Sequence, residues 1–385
     1  MQQTLVCRDC ASRETVRHPV RYCKACNSEW LKYAFEEDVI CSFEFGHSVN
    51  TLWNFFDLLP IASRKNVVSF GEGGTPVTHL QQLGKCIGLK RLYIKDERGG
   101  NTGSFKDRGA SVAVSSLKER GVRDFVYSSV GNMGAAYAAY CARALIRAHA
   151  FVPASAPRQK VQEMELYGAK VFRLNKTYDE CKAVAKEYAQ ERGFECEMGT
   201  RDPLRVEAKK TIAFEVHQQL PRVDRFFQAA SGGTGFLGYH KGAQELQMNG
   251  FIRKPARVHA VQAAGCCPMY SAYARGNMET YTPVHKPKTH ITTLATGNPI
   301  GYRHVAQVIN ETGGSFERVT DQQAFRAVKQ LAKTEGILVD AATGVALAAV
   351  ISMAKSGAIS PLEYVVLNGG SHGLREFDFL THHIK

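Results

Sequence analysis

The chain has 385 residues, more than one ordinary core accommodates, and so reads as two or three domains. Apolar residues make up 44% and charged residues 22%, the balance of a soluble globular protein, and no apolar run approaches the ~18 residues of a membrane span. The net charge of +13 admits nucleic acid, a membrane surface or anionic small molecules as partners; but Lys and Arg mix with Asp and Glu throughout, the pattern of a soluble basic surface.

The start, Met1 to Cys7, lacks the basic and apolar regions of a signal peptide, so a cytoplasmic protein with reduced thiols is expected. Four of the eleven cysteines stand apart. Cys7-x2-Cys10 and Cys23-x2-Cys26 offer four soft thiolate ligands in tetrahedral number, which suits structural zinc. A segment this short buries no core of its own, so the metal would supply its folding energy. Zinc ribbons also bind nucleic acid, and Arg8, Arg13, Arg17, Arg21 and Lys24 lie close by.

Further on, Gly71-Glu72-Gly73-Gly74-Thr75-Pro76 precedes the run Asn101-Thr102-Gly103-Ser104-Phe105-Lys106-Asp107-Arg108-Gly109. Lys106 has small, turn-forming and aromatic neighbours. Such surroundings desolvate an amine, lower its pKa and make it nucleophilic towards carbonyls. Short apolar strands are expected at 125–128, 150–153, 169–174, 225–230, 257–262 and 364–367. Helical patterns fall at 133–147, 158–167, 178–192, 204–220 and 236–248. This alternation predicts an α/β protein with parallel sheets covered by helices. Ligands in such folds bind in loops at the carboxyl ends of strands.

Two glycine-rich turns occupy such loops. Ser231-Gly232-Gly233-Thr234-Gly235 joins a strand to a helix, where bare amides and the helix dipole favour an anion, a phosphate above all. It has neither the Lys of a Walker loop nor the glycine spacing of a Rossmann turn. Ser128-Ser129-Val130-Gly131-Asn132-Met133-Gly134 has the same build. Near the end comes Val366-Leu367-Asn368-Gly369-Gly370-Ser371-His372-Gly373.

In order and spacing these blocks resemble the fold-type II pyridoxal-phosphate (PLP) enzymes, the threonine synthase and serine/threonine dehydratase group in particular. The resemblance covers most of residues 70 to 375, including Val261 to Cys266 and Gly336 to Ala342. It implies a tryptophan synthase β-like fold. A zinc-ribbon module would span 1–40, a large PLP-binding domain 41–115 and 205–385, and a small substrate-side domain 116–204. Lys106 would carry PLP and act as general base; Gly232, Gly233, Thr234 and Gly235 would hold its phosphate. Asn132 would meet the ring oxygen, and Asn368 the ring nitrogen, as a neutral partner. Ser129, Val130, Gly131 and Met133 would hold the substrate carboxylate.

The implied reaction is that of a lyase or synthase on an amino acid with a β or γ leaving group, in the first place O-phosphohomoserine to threonine plus phosphate. Several positions depart from the threonine synthase pattern: Asn101, Val130, Met133, Asp340 and the Ser371-His372 ending. A β-replacement synthase on O-phosphoserine or an acylated serine (cysteate synthase-like) and a Ser/Thr dehydratase therefore stand as alternatives. A zinc-ribbon nucleic-acid binder on an inactive PLP fold is the alternative from another class. The favoured reading takes no nucleic acid and no membrane as partner, and the family analogy implies a homodimer.

Overall fold

The structure, a computed structural model, describes residues 3–16, 20–46, 50–129 and 131–384. Three sheets organise them. Strands β1 (Gln3–Cys7), β2 (Arg13–Val16) and β3 (Leu31–Ala34) form an antiparallel sheet in the order β2-β1-β3. Leu5, Cys7, Leu31 and Tyr33 alternate inward from it onto Leu52, Trp53 and Phe56.

The largest sheet takes β4 (Val77–His79) and β5 (Leu92–Asp96) from one stretch of chain. It takes β10 (Arg225–Ala229), β11 (Arg257–Ala263), β12 (Ser315–Val319) and β13 (Val365–Gly369) from another. Its order is β12-β11-β10-β13-β5-β4, parallel except for the edge strand β4. Both faces are covered, as a parallel sheet requires. Ile94, Phe227 and Leu367 pack beneath the helices 321–335 and 341–355; Phe226, Val258 and Val366 pack beneath 203–219, 234–248 and 302–312.

The third sheet holds β6 (Asp124–Ser128), β7 (Arg147–Pro153), β8 (Lys170–Leu174) and β9 (Glu195–Cys196) in the parallel order β8-β7-β6-β9. Its cluster of Phe125, Tyr127 and Val152 receives Ala110, Val114 and Leu117 of the helix Lys106–Glu119, and Ala136 and Tyr140 of Asn132–Ala144. The Lys106 helix runs on past residue 115, and Pro203–Gln219 starts before 205. Each expected sequence boundary thus falls inside a continuous helix.

Local signals explain several element ends. Thr177 and Glu180 form a capping box at the start of Tyr178–Arg192, and Gly193 ends that helix at φ +64°. The helix expected to reach residue 147 stops at Ala144, because Leu145 turns left-handed and Arg147 already pairs with Asp124 in β7. Helices Tyr302–Thr312, Asp321–Glu335 and Ala341–Lys355 lie in stretches to which the sequence reading gave no element.

Candidate active site

Strands β10, β13 and β5 are adjacent and parallel, so their carboxyl ends deliver three loops side by side. From β5 the chain reaches Lys106, from β13 it passes Asn368 to Ser371, and from β10 it enters the Gly232–Gly235 turn. Hydrogen bonds join two of these loops: Phe105 N donates to Gly370 O at 2.9 Å, and His372 N to Gly103 O at 2.9 Å.

Lys106 is the first residue of its helix, half-buried, with its Nζ 3.9 Å from the centre of the Phe105 ring. Among the described residues no carboxylate pairs with it. Burial, and then the charge of Arg205, pull its ammonium down to about 7, against a weaker upward pull from Asp340. Its neighbours are fixed by charge. Arg108 is fully buried and bonds Glu97 at 2.8 Å and Glu215 at 2.5 Å, while Lys95 reaches Glu215 at 2.6 Å. Asp107 accepts from Thr102 N and Oγ1 at 2.9 and 2.6 Å, which closes the turn before Lys106. Burial raises the Asp107 carboxyl to about 6.

The Gly71–Pro76 segment belongs to this scaffold. Thr75 Oγ1 donates to Glu97 at 2.7 Å. Glu72 is buried and accepts from Trp53 Nε1 at 3.0 Å and Tyr140 OH at 2.6 Å.

The Gly232–Gly235 turn leads into the helix Thr234–Met248, which no side chain caps. Gly233 stands at φ +105°, and a side chain there would meet Val305 at 2.6 Å. A Cβ on Gly232 would meet Thr200 Oγ1 at 2.5 Å. The uncapped amides of this first helical turn make an anion cradle that side chains would fill.

Asn368 is buried in β13, and neither its Oδ1 nor its Nδ2 finds a partner. An amide orphaned in this way calls for an occupant that accepts a hydrogen bond from its Nδ2. The donor set of bare amine, uncapped glycine turn and unpaired amide therefore fits PLP.

Asn132 begins its own helix and joins two halves of the site. Its Nδ2 donates to Ser371 Oγ at 3.0 Å; its Oδ1 accepts from Lys160 Nζ at 2.8 Å and Arg375 Nε at 2.9 Å. Arg375 is clamped in turn by Glu163 at 2.6 and 2.9 Å. Burial, with Arg375 beside it, lowers the Lys160 ammonium to about 8. Ser129 Oγ accepts from Gly131 N at 3.4 Å and Gly134 N at 3.1 Å, so this hydroxyl caps the helix and keeps its own hydrogen to donate. Met133 is buried, with its Cε 3.8 Å from the Cβ position of Gly109. Val130 lies outside the described residues. His372 accepts from Leu374 N through Nδ1 and caps a short helical turn, a structural duty. Asp340 likewise caps the helix Ala341–Lys355 through Thr343.

Several groups at the site escaped the sequence reading: Thr200, Arg205, Lys209, Thr293, Lys160 and Arg375. Thr293 Cγ2 lies 3.8 Å from the Cβ position of Gly131, and its buried hydroxyl has no partner. None sits in a motif; each arrives from a distant stretch of chain.

The four cysteines Cys7, Cys10, Cys23 and Cys26 gather with all Sγ atoms within 4.8 Å of one another. Two of the sulfur pairs lie at 3.6 Å, near the ~3.8 Å that Zn–S bonds of ~2.3 Å give in a tetrahedron. Both knuckles fold alike: Ala11 and Asn27, each after the second cysteine, take φ near +60° and donate back to Cys7 O and Cys23 O. Arg21 pairs with Glu195 and Lys24 with Glu14, so these two basic groups of the module are held in ion pairs.

Comparison with known proteins fits this geometry. Residues 68–369 match the family described as "Pyridoxal-phosphate dependent enzyme". The threonine synthase of Methanocaldococcus jannaschii is 32% identical over 91% of this chain and 85% of its own length. That of Methanosarcina acetivorans is 30% identical over 97% and 92%. In fold, the processed threonine deaminase isoform 2 of Solanum lycopersicum superposes with a TM-score of 0.70 at 20% identity, over 86% of this chain and 93% of that one. Diaminopropionate ammonia lyase of Escherichia coli does so at 0.69 and 17%, over 82% and 88%. The chain belongs to the pyridoxal-phosphate-dependent enzyme family, in its fold-type II, threonine synthase-like branch.

Proposed function

We propose that the protein converts O-phosphohomoserine and water to threonine and phosphate in the cytoplasm, with PLP on Lys106. The observation that carries this reading is a carboxylate-free amine held near neutrality, at the ends of strands that also bring an uncapped glycine turn and an orphaned amide.

Lys106 would hold the cofactor, Gly232 to Gly235 its phosphate, Asn132 its ring oxygen and Asn368 its ring nitrogen. When bound, the cofactor supplies an electron sink for the carbon next to the substrate's amino group. The chain's own residues do the rest. The Lys106 amine, about half of it uncharged near pH 7, takes and returns protons at the substrate carbons. The Ser129 hydroxyl and the Gly131 to Met133 amides would bind the carboxylate. Asn368 carries no charge, so it would leave the ring nitrogen of the bound cofactor without a proton, which suits elimination and replacement. Residues 116–204 would close over the substrate from the four-stranded sheet.

The four thiolates would hold one structural zinc, consistent with their mutual distances. A homodimer follows from family resemblance. Phosphate release from O-phosphohomoserine compared with O-phosphoserine tests the reading. Preference for O-phosphoserine would indicate β-replacement, and 2-oxobutyrate or pyruvate as sole product a dehydratase.

A further inference from the structure

Lys209 is a second lysine at the site, and it is fully buried. Its backbone lies against the helix that follows the glycine turn: a Cβ on Gly238 would sit 2.6 Å from Lys209 Cβ. Its amine crosses to the Lys106 helix, where it lies 3.2 Å from the Cβ position of Gly109, one turn beyond Lys106. Two glycines therefore make room for one side chain. The amine donates to Arg205 O at 3.1 Å, and among the described residues no carboxylate pairs with it. Lys106 and Lys209 both approach the Phe105 ring, with their nitrogens 3.9 and 6.0 Å from its centre.

The charged groups that face Lys209 are Arg205, Lys106, Asp202 and Glu197. Burial first, then Arg205 and Lys106, push its ammonium well below the usual lysine value; Asp202 and Glu197 pull the other way. Arg205 is bound to Glu197 at 2.6 Å and keeps a buried Nε without a partner. Such a site is short of negative charge. A dianionic group brought in by a ligand would reverse the balance and charge the amine.

We propose that Lys209 is the general acid that protonates the departing phosphate of the substrate. The inference rests on the reading above, that a phosphate monoester is eliminated here. A phosphate ester that leaves with its C–O electron pair departs as a trianion unless the bridging oxygen gains a proton. In the step proposed, the carbon adjacent to the ester carbon gives its proton to the Lys106 amine. The C–H pair becomes the new carbon–carbon double bond, and the C–O pair goes to the bridging oxygen. That oxygen takes the proton of Lys209, which solvent later restores. No oxidant or further reactant enters.

The test compares holoenzymes of wild type, Lys209→Met and Lys209→Gln on two substrates: the phosphorylated amino acid that wild type turns over, and its skeleton with chloride in place of phosphate. Chloride leaves without a proton. The expected result is a loss of ~100-fold or more in kcat on the phosphate ester, the usual scale of general-acid removal, against less than about threefold on the chloride. The lysine-bound cofactor absorbance is retained. Wild-type kcat on the ester falls at high pH as the acid deprotonates, and that limb is absent with chloride. Equal losses on both substrates, or loss of the cofactor absorbance in both variants, would make Lys209 structural and overturn the proposal. Failure of wild type to release phosphate from any phosphorylated amino acid overturns the reading itself, and the proposal with it.

Discussion

Phe105 gives its amide hydrogen to the carbonyl of Gly370, so the loop that carries Lys106 hangs from the end of β13, two residues beyond Asn368. The ring completes the contact, since a Cβ on Gly370 would lie 3.2 Å from Phe105 Cδ1. Gly370→Val should therefore swing Phe105 and Lys106 away together. Titration with PLP, followed by absorbance, should show roughly tenfold weaker binding, the size of a ~1.4 kcal/mol displacement. Unchanged binding would show that the two loops move independently.

Asn368 separates stability from cofactor affinity. Its unpartnered amide costs the empty protein the desolvation of a buried polar group, on the order of 1–3 kcal/mol. Asn368→Ala should recover ~1 kcal/mol in urea unfolding of the cofactor-free chain, after the small cavity is counted, while PLP binds less tightly. If affinity and stability fall together, Asn368 is a packing residue and not a ring partner.

The pH behaviour of Lys106 has a definite sign. Its ammonium is pulled from 10.5 to about 7, so the free amine accumulates as pH rises through 7. The rate at which PLP attaches should climb to about pH 7 and level off, instead of climbing on towards 10. Arg205→Met should move the midpoint upward, because a nearby positive charge is lost. Between about 7 and 10.5 the unfolded chain binds more protons at this residue, so the stability of the cofactor-free protein gains a rising component with pH there, and Lys106→Met should remove it.

The cysteine module touches the glycine turn through one aromatic. Trp30 packs on His304 at 4.5 Å and lies 3.6 Å from the Cβ position of Gly301, which itself sits 2.6 Å from Gly232 O. Stripping metal with a chelator, or Cys10→Ser, should lower the melting temperature and weaken PLP binding in parallel. Zinc content by atomic absorption should stand at one per chain beforehand. Full PLP affinity in the stripped protein would show that the module is an independent appendage.

What the sequence discloses about this site is the part carried by local chain geometry. A strand, a run of small residues and a helix start are contiguous, and so the turns at Gly232 and Asn132 are legible as ligand loops. Lys106 is legible because its neighbours cannot solvate it. Charges brought together from afar are not. Lys95, Arg108, Lys209, Glu207 and Glu215 look like ordinary solvated positions, yet each is fully or almost fully buried. The helix Pro203–Gln219 buries nearly every residue, so its polar side chains face partners on several elements and leave no one-sided pattern to read. For the same reason Arg205 and Lys209 emerge only once the helices are packed. The helix Ala341–Lys355, apolar nearly all round, gives no amphipathic signal because its pattern lacks a polar face.

The amines of Lys106 and Lys209 stand 3.9 and 6.0 Å from the centre of the same ring, and the cofactor is proposed on the first. Borohydride reduction of the PLP-loaded protein, followed by peptide mass mapping, decides between them directly. The reduced cofactor should be found on the peptide containing Lys106, with the Lys209 peptide unmodified. Label on Lys209, or on neither lysine, would remove Lys106 as the cofactor's anchor.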